Sequence, residues 1–146
     1  LSLTAGREET VKIVEGLIVV TFIDDRPIDR IAIKTLLEGW YLRESIKFLK
    51  TRTSELAKKM KVQPSGMTVK NYISKWGSCT AHDKISYNWR IIMAPDYIID
   101  YLIIHELSHI TEPNHSKDFW QTVAKYCDGY QTKRKWLREN GYRLIL

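Results

Sequence analysis

The segment HELSH at positions 105–109 combines residue types that could hold a metal ion and activate water. Side chains four residues apart lie on one face of an α-helix, so the imidazoles of His105 and His109 can bind a single ion. Glu106 projects about 100° around the helix from His105, beside the ion, where its carboxylate can accept a proton from water. The segment therefore predicts two metal ligands and a general base.

A third ligand is expected soon after this helix, because catalytic zinc usually has three protein ligands and one water. His115 follows His109 by six residues. Between them, Pro113 breaks a helix and Asn114 tolerates the left-handed conformation, so the chain can fold back and bring His115 to the same ion. Glu112 is the alternative third ligand.

Three of the four histidines lie within one eleven-residue window of an otherwise apolar segment. Burying imidazoles there costs free energy unless a metal ion or a dense hydrogen-bond network satisfies them. Zinc is the expected ion, although three imidazoles also suit other divalent transition metals. With zinc bound, the predicted chemistry is hydrolysis by an activated water. A donor for a developing oxyanion is also expected, and the candidates by residue type are Tyr126, Tyr130, Arg134 and His82.

The elements before this segment are predicted to be strands and one long helix. Residues 11–14 and 17–23 are rich in β-branched residues, and a glycine between them suits a tight turn, which predicts an N-terminal hairpin within residues 1–28. From residue 29 to residue 61, apolar side chains recur every three or four positions, which predicts a long helix. Residues 67–74 and Lys84–Asn88 are predicted to pair as strands.

Further helices are predicted in the second half of the chain. Pro95 and Asp96 suit the start of a helix that reaches residue 110 and is apolar on nearly every side, so it must be buried. Ser116 can cap a helix over residues 117–127, and a last helix over residues 131–140 stops at Gly141, which suits a left-handed cap. The order of elements predicts one α+β domain over residues 1–146.

The overall composition is that of a globular chain. Among its 146 residues, 44 % are hydrophobic and 27 % are charged, which excludes disordered, collagen-like and coiled-coil classes. No apolar run reaches the roughly 20 residues of a membrane span, and no secretory signal is recognised. Cys79 and Cys127 are too few for a disulfide framework, so we expect a reducing compartment, the cytoplasm.

The formal net charge of +6 favours attraction to phosphates or acidic partners. The basic residues are spread along the chain, apart from one cluster at residues 133–138 that contains Lys133, Arg134, Lys135 and Arg138. A cluster of this kind is more often a solvated helix face than a nucleic-acid contact, and both interpretations stay open.

Several motifs occur together in the order of a known family. They are KWGSC at 75–79, ISYNWR at 85–90, AP at 94–95, IDY at 99–101, HELSH at 105–109, NHS at 114–116 and FW at 119–120. Over about residues 30–146 the chain resembles the YgjP-like metallopeptidase family and, more distantly, SprT-like zinc proteases. The resemblance implies a zincin-type metalloprotease fold, in which a small antiparallel sheet packs on an active-site helix. It also implies zinc held by His105, His109 and His115, with Glu106 as the catalytic base.

Two features of the sequence limit what this resemblance implies. Family members usually have more β-structure before the long helix, so the start of this chain looks shortened. The histidine spacing also occurs in metzincins, but Glu112 stands where they have glycine and no methionine follows His115, which excludes that class.

The resemblance further implies that an extended peptide pairs with a strand near the active-site helix, either residues 67–74 or Lys84–Asn88. Trp76, Gly77 and Ser78 lie between these strands and are candidate substrate-binding residues. A purely structural turn is the alternative for these three.

Three functions are compared on this basis. The first is a zinc-dependent peptidase that cleaves peptides or unfolded protein segments. The second is a metal-dependent nucleotide phosphohydrolase, whose substrate the basic charge would help to hold. The third is a zinc-containing module that binds nucleic acid through residues 133–138. A predicted open coordination position beside a general base favours catalysis over a purely structural zinc site. The peptidase is ranked first, the phosphohydrolase second and the binding module third.

Overall fold

The computed structural model describes residues 1–23 and 29–146, and its contacts divide the chain into two units. The first unit comprises Leu1–Arg43 together with Leu146, and the second comprises Glu44–Ile145. Each unit contains one three-stranded sheet. The last five residues of the predicted N-terminal segment 1–28 lie outside the described residues. One domain over residues 1–146 stays a prediction.

The first sheet has the strand order β1-β3-β2, where β1 is Ser2–Gly6, β2 is Thr10–Val14 and β3 is Leu17–Ile23. Strands β2 and β3 form an antiparallel hairpin, and Glu15 and Gly16 at its turn both have positive φ, as a type I′ turn requires. Strand β1 pairs in parallel with β3. The sequence analysis did not find β1, because Leu3 is its only large apolar residue and no alternating pattern marks it.

Helix α1, Arg30–Met60, follows the predicted helix over residues 29–61 closely. Asp29 Oδ1 accepts a hydrogen bond from the Ile31 backbone N–H at 3.1 Å, which satisfies one of the free donors at the helix start. Lys61 directly after the helix has a positive φ of 58°, so the helix ends there.

The second sheet has the order β4-β6-β5, where β4 is Gly66–Lys70, β5 is Gly77–Cys79 and β6 is Lys84–Asn88. The α+β class is confirmed, but the predicted antiparallel sheet is mixed, because β4 runs parallel to β6 while β5 runs antiparallel to it. A parallel pair needs a crossover of about a dozen residues, and residues 71–83 supply it. Strand β5 lies within this crossover, in the stretch that the sequence analysis treated as a loop.

The crossover is fixed by one buried side chain. Asn88 is 3 % exposed, and its Nδ2 donates to the carbonyl oxygens of Tyr72 at 3.0 Å and Lys75 at 3.3 Å. Its Oδ1 accepts from the backbone N–H of Arg90, which starts a 3-10 helix over Trp89–Met93. Asn88 therefore fixes the segment that leads into β5.

Three helices complete the second unit. They are α2, Asp96–Ser108; α3, Lys117–Tyr126; and α4, Tyr130–Asn140. Helix α2 is buried at most of its positions, and its Asp100 forms a bidentate pair with Arg52 of α1 at 2.6 and 2.7 Å. Tyr87 of β6 is fully buried and accepts a hydrogen bond from Thr53 of α1 at 3.2 Å. These contacts hold the sheet and α2 against α1.

Gly141 does not form the predicted left-handed cap. Its φ is −56°, and it begins a short 3-10 helix over Gly141–Arg143. A Cβ atom at this position would lie 2.8 Å from Cζ2 of Trp76, so the glycine is required by close packing of the indole. Among the described helices, none is long and apolar enough to cross a membrane.

The role of Asn88 gives a stability prediction. Asn88→Asp keeps the acceptor but removes both donors, leaves two carbonyl groups without their partner and buries a carboxylate. We expect the free energy of unfolding to fall by about 1–3 kcal/mol. Urea denaturation at neutral pH, followed by tryptophan fluorescence, measures this change. The matched control is Asn71→Asp, because Asn71 is exposed and accepts from Arg90. Equal midpoints for the two variants would contradict the anchoring role.

Candidate metal centre

Helix α2 carries the segment HELSH at its last turns, inside the core of the second unit. The helix is apolar on nearly all sides, so its polar residues must find partners within the protein. Ser108 is fully buried and donates its hydroxyl hydrogen to the Ile104 carbonyl at 2.7 Å. The helix itself offers no comparable hydrogen-bond partner to the side chains of His105, Glu106 and His109.

Three imidazoles meet at the end of α2. The ligand atoms of His105, His109 and His115 all lie within 4.8 Å of one another, and the Nε2 atoms of His105 and His115 are 3.1 Å apart. His109 Nδ1 donates to the backbone carbonyl of Glu112 at 3.2 Å, which leaves the lone pair on its Nε2. A hydrogen bond of this kind is typical of imidazoles that bind metal ions.

The chain returns to the cluster through a short, capped turn. Helix α2 ends at Ser108, and the Ser116 side chain accepts from the Phe119 backbone N–H at 3.3 Å to start α3. His115 therefore lies directly before a helix cap, which fixes its backbone. Glu112, the alternative third ligand, gives its carbonyl to His109, and its carboxylate is not part of the cluster.

Two aromatic residues of α3 pack on the imidazoles. The Phe119 ring is fully buried, and its centroid lies 4.9, 4.5 and 4.7 Å from those of His105, His109 and His115. Trp120 stacks on His115 at 5.7 Å with an interplanar angle of 25°. The sequence analysis named Trp120 only as part of the FW motif at 119–120 and gave it no role at the site. Its position five residues after His115, one turn into a capped helix, is the signal that could have placed it here.

The electrostatics favour the neutral forms of His105 and His115. Burial, together with the neighbouring His109, His115 and Arg134, lowers the pKa of His105 to about 3. Burial and the same cationic neighbourhood also lower the pKa of His115. His105 Nδ1 is buried without a hydrogen-bond partner among the described residues. Three converging imidazoles form a donor set that suits a divalent transition metal, so the residues present fit such an ion.

Glu106 lies beside this cluster in a tight, apolar position. It is 4 % exposed, and its carboxylate forms no hydrogen bond or ion pair within the described part of the chain. Burial raises its pKa to about 8, and the charge of Lys75 opposes that rise. A Cβ atom on Gly77 of β5 would lie 2.5 Å from Glu106 Oε1. The glycine thus provides the space that the carboxylate occupies.

The predicted substrate-binding residues lie in different surroundings. Gly77 contacts Glu106, whereas the Ser78 hydroxyl is paired with the Tyr72 hydroxyl at 3.3 Å. Trp76 lines a groove of about 490 Å³ together with Leu137. Only Gly77 of the three is brought to the carboxylate. Strand β6, predicted as a possible peptide-pairing strand, is the centre of its sheet, so that prediction is wrong and the edges are β4 and β5.

The four candidates for an oxyanion donor lie at different distances from the histidine cluster. Tyr130 stacks on Trp120 at 5.2 Å, and the Arg134 guanidinium lies 4.7 Å from the same ring, so both are next to the cluster. His82 is exposed between β5 and β6. Tyr126 packs against the core and is covered by Lys125. Cys79 is not part of the cluster, and burial raises its pKa to about 11.

Comparison with solved structures identifies the fold. The zymogen of the metallopeptidase abylysin from Pyrococcus abyssi matches with a TM-score of 0.55 and 17 % identity, over 64 % of this chain and 93 % of that chain. The zymogen of jannalysin from Methanocaldococcus jannaschii matches with a TM-score of 0.54 and 19 % identity, over 65 % and 96 %. Wss1 from Saccharomyces cerevisiae gives a TM-score of 0.48 and 16 % identity, over 96 % and 92 %. The matches to the two zymogens show that the fold is that of zincin-like metallopeptidases.

Sequence comparison extends the assignment to the family. No curated protein sequence matches the chain. The model of the YgjP-like metallopeptidase domain matches residues 3–140. Because this match spans nearly the whole chain, the protein belongs to the YgjP-like metallopeptidase family and is a metal-dependent protease.

Proposed function

We propose that the protein is a zinc-dependent peptidase that hydrolyses peptide bonds with Glu106 as general base. The observation that carries this proposal is the convergence of three imidazoles at the end of a helix that also carries the buried carboxylate of Glu106. His105, His109 and His115 would hold the ion. Three ligands leave one position of a tetrahedral zinc ion open, which is typical of catalytic rather than structural sites.

The ion and the protein would supply different parts of the chemistry. Zinc, when bound, lowers the pKa of a water molecule and polarises the carbonyl group of the bond to be cleaved. Glu106 accepts a proton from the attacking water at its carboxylate and passes it to the amine nitrogen that leaves. Glu106 is 4 % exposed and contacts Gly77, and a divalent cation bound nearby would favour the carboxylate form that this role requires.

The substrate is proposed to bind as an extended strand on β5. This strand pairs with β6 on one side and is an edge of the sheet on the other, so its backbone can pair with a peptide. Gly77 at the start of β5 touches Glu106, which would bring a peptide paired there next to the base. Peptides or unfolded protein segments can adopt this conformation, whereas folded elements cannot.

The zinc ligands are tested by metal analysis. Wild type purified with zinc and without chelator should hold one equivalent, and His115→Ala should lose most of it, because one of three ligands is gone. His82→Ala is the matched control, since His82 is the one histidine outside the cluster. It should retain zinc fully. Full occupancy in His115→Ala would rule out the three-histidine site.

The general base is tested by Glu106→Gln, which keeps the shape of the side chain beside Gly77. We expect kcat to fall by about 10²–10⁴-fold with zinc content unchanged, because the amide cannot accept the proton. Initial rates on a fluorogenic peptide library measure the loss, and elemental analysis of the same samples provides the control. Equal rates for variant and wild type would contradict the mechanism.

The position of the base is tested by Gly77→Ala. The added Cβ would lie 2.5 Å from Glu106 Oε1 and must displace it, so we expect a loss of roughly 100-fold in kcat with zinc retained. Gly66→Ala on β4 is the matched control, because its nearest new contact is an ordinary 3.9 Å. If the two alanine variants have the same activity, the contact between Gly77 and Glu106 has no catalytic importance.

A further inference from the structure

Arg134 differs from the other cations of residues 133–138. It is exposed, and it forms no hydrogen bond or ion pair within the part of the chain that the structure describes. Its partner is instead an aromatic ring, because Cζ lies 4.7 Å from the centroid of Trp120. The other three have polar partners, with Lys133 Nζ 3.3 Å from Cys127 Sγ and both Lys135 and Arg138 3.9 Å from Glu139.

The aromatic contact leaves the hydrogen-bonding capacity of Arg134 unused. An arginine above an aromatic ring is held through the face of its guanidinium group, and the N–H donors point outward in the plane. These donors match the two oxygens of a carboxylate and bind it bidentately. The contact with Trp120 therefore holds the guanidinium near the ring without using its N–H donors, which stay available for an anion.

The location of this cation is next to the metal centre. The Trp120 ring lies 5.7 Å from His105 and 5.7 Å from His115, and the charge of Arg134 reaches both imidazoles. Tyr130 lies one turn before Arg134 on α4. Its ring stacks on Trp120 at 5.2 Å, which further holds the Trp120 ring in position. Because Trp120 contacts both Arg134 and two of the imidazoles, a substrate bound at the metal centre would lie near this cation.

We infer that Arg134, supported by Trp120, forms a subsite for a carboxylate group of the peptide substrate. The carboxylate is either the C-terminus of the peptide or an acidic side chain near the cleaved bond. This inference rests on the proposed function, because it assigns a substrate class to the same site. It makes Arg134 a specificity-determining residue, distinct from the ligands and the base.

The test measures peptide binding to the full, zinc-loaded chain carrying Glu106→Gln, so that binding is observed without cleavage. Three N-acetylated peptides of the same length are compared by calorimetry: one neutral with an amidated end, one neutral with a free C-terminus, and one amidated with a single glutamate. We expect one of the two carboxylate peptides to bind at least about tenfold tighter than the neutral one. The peptide that does so identifies the source of the carboxylate.

Substitutions then assign this preference to Arg134. Arg134→Gln should abolish the preference and leave the affinity of the neutral peptide and the zinc content unchanged. Arg134→Lys should restore part of it, since lysine keeps the charge but loses the bidentate geometry. Arg138→Gln, one turn later on α4, is the matched control and should retain the full preference.

Other outcomes overturn the inference. A loss of affinity for all three peptides in Arg134→Gln would indicate a structural role, and no preference in the parent protein would exclude the subsite. Binding of a nucleoside monophosphate that depends on Arg134, without any preference among peptides, would replace the carboxylate by a phosphate.

The inference and the proposed function can fail separately. If protein with Glu106 intact cleaves the neutral peptide and both carboxylate peptides equally, only the subsite is wrong. If no peptide is cleaved while carboxylate binding still depends on Arg134, only the peptidase function is wrong.

Discussion

The burial of imidazoles and a carboxylate in an apolar helix is the constraint that shapes the second unit. His105, Glu106 and His109 lie at the end of α2, where water cannot satisfy them fully. Burial disfavours the charged forms of His105 and Glu106, so the pKa of His105 falls to about 3 and that of Glu106 rises to about 8. A polar cluster of this kind is costly in a folded chain unless something else binds to it. A divalent cation satisfies both requirements, since it takes the lone pairs of neutral imidazoles and favours an ionised carboxylate.

The surrounding elements hold the residues of this cluster in position. The Ser116 cap directs His115 back toward α2, and Phe119 packs on all three imidazoles. On the other side, β5 brings Gly77 against Glu106, and Asn88 holds the segment that leads into β5. The helix end and the sheet edge are therefore positioned by different parts of the chain. This division lets one carboxylate lie between the proposed metal ligands and the strand proposed to bind the substrate.

Much of the site could be predicted because its residues are close in sequence. The i, i+4 spacing of His105 and His109 on a helix requires no knowledge of tertiary structure, and the breaker residues before His115 indicate a return of the chain. The sheet was harder to predict from the sequence, because strand pairing depends on contacts between residues that are distant along the chain. Strand β5 has only three residues and no alternating pattern, so its role as an edge strand appears only once β6 is seen at the centre. Arg134 could be named by type alone, since its stacking on Trp120 is a tertiary contact.

The central claim is that three imidazoles hold one zinc ion beside Glu106. The most direct test is a crystal structure of the zinc-loaded protein, with anomalous diffraction measured on both sides of the zinc absorption edge. The account predicts a single strong anomalous peak that all three histidine Nε2 atoms contact at roughly 2.0–2.1 Å. A peak elsewhere, or a zinc ion that lacks His115 as a ligand, would contradict it.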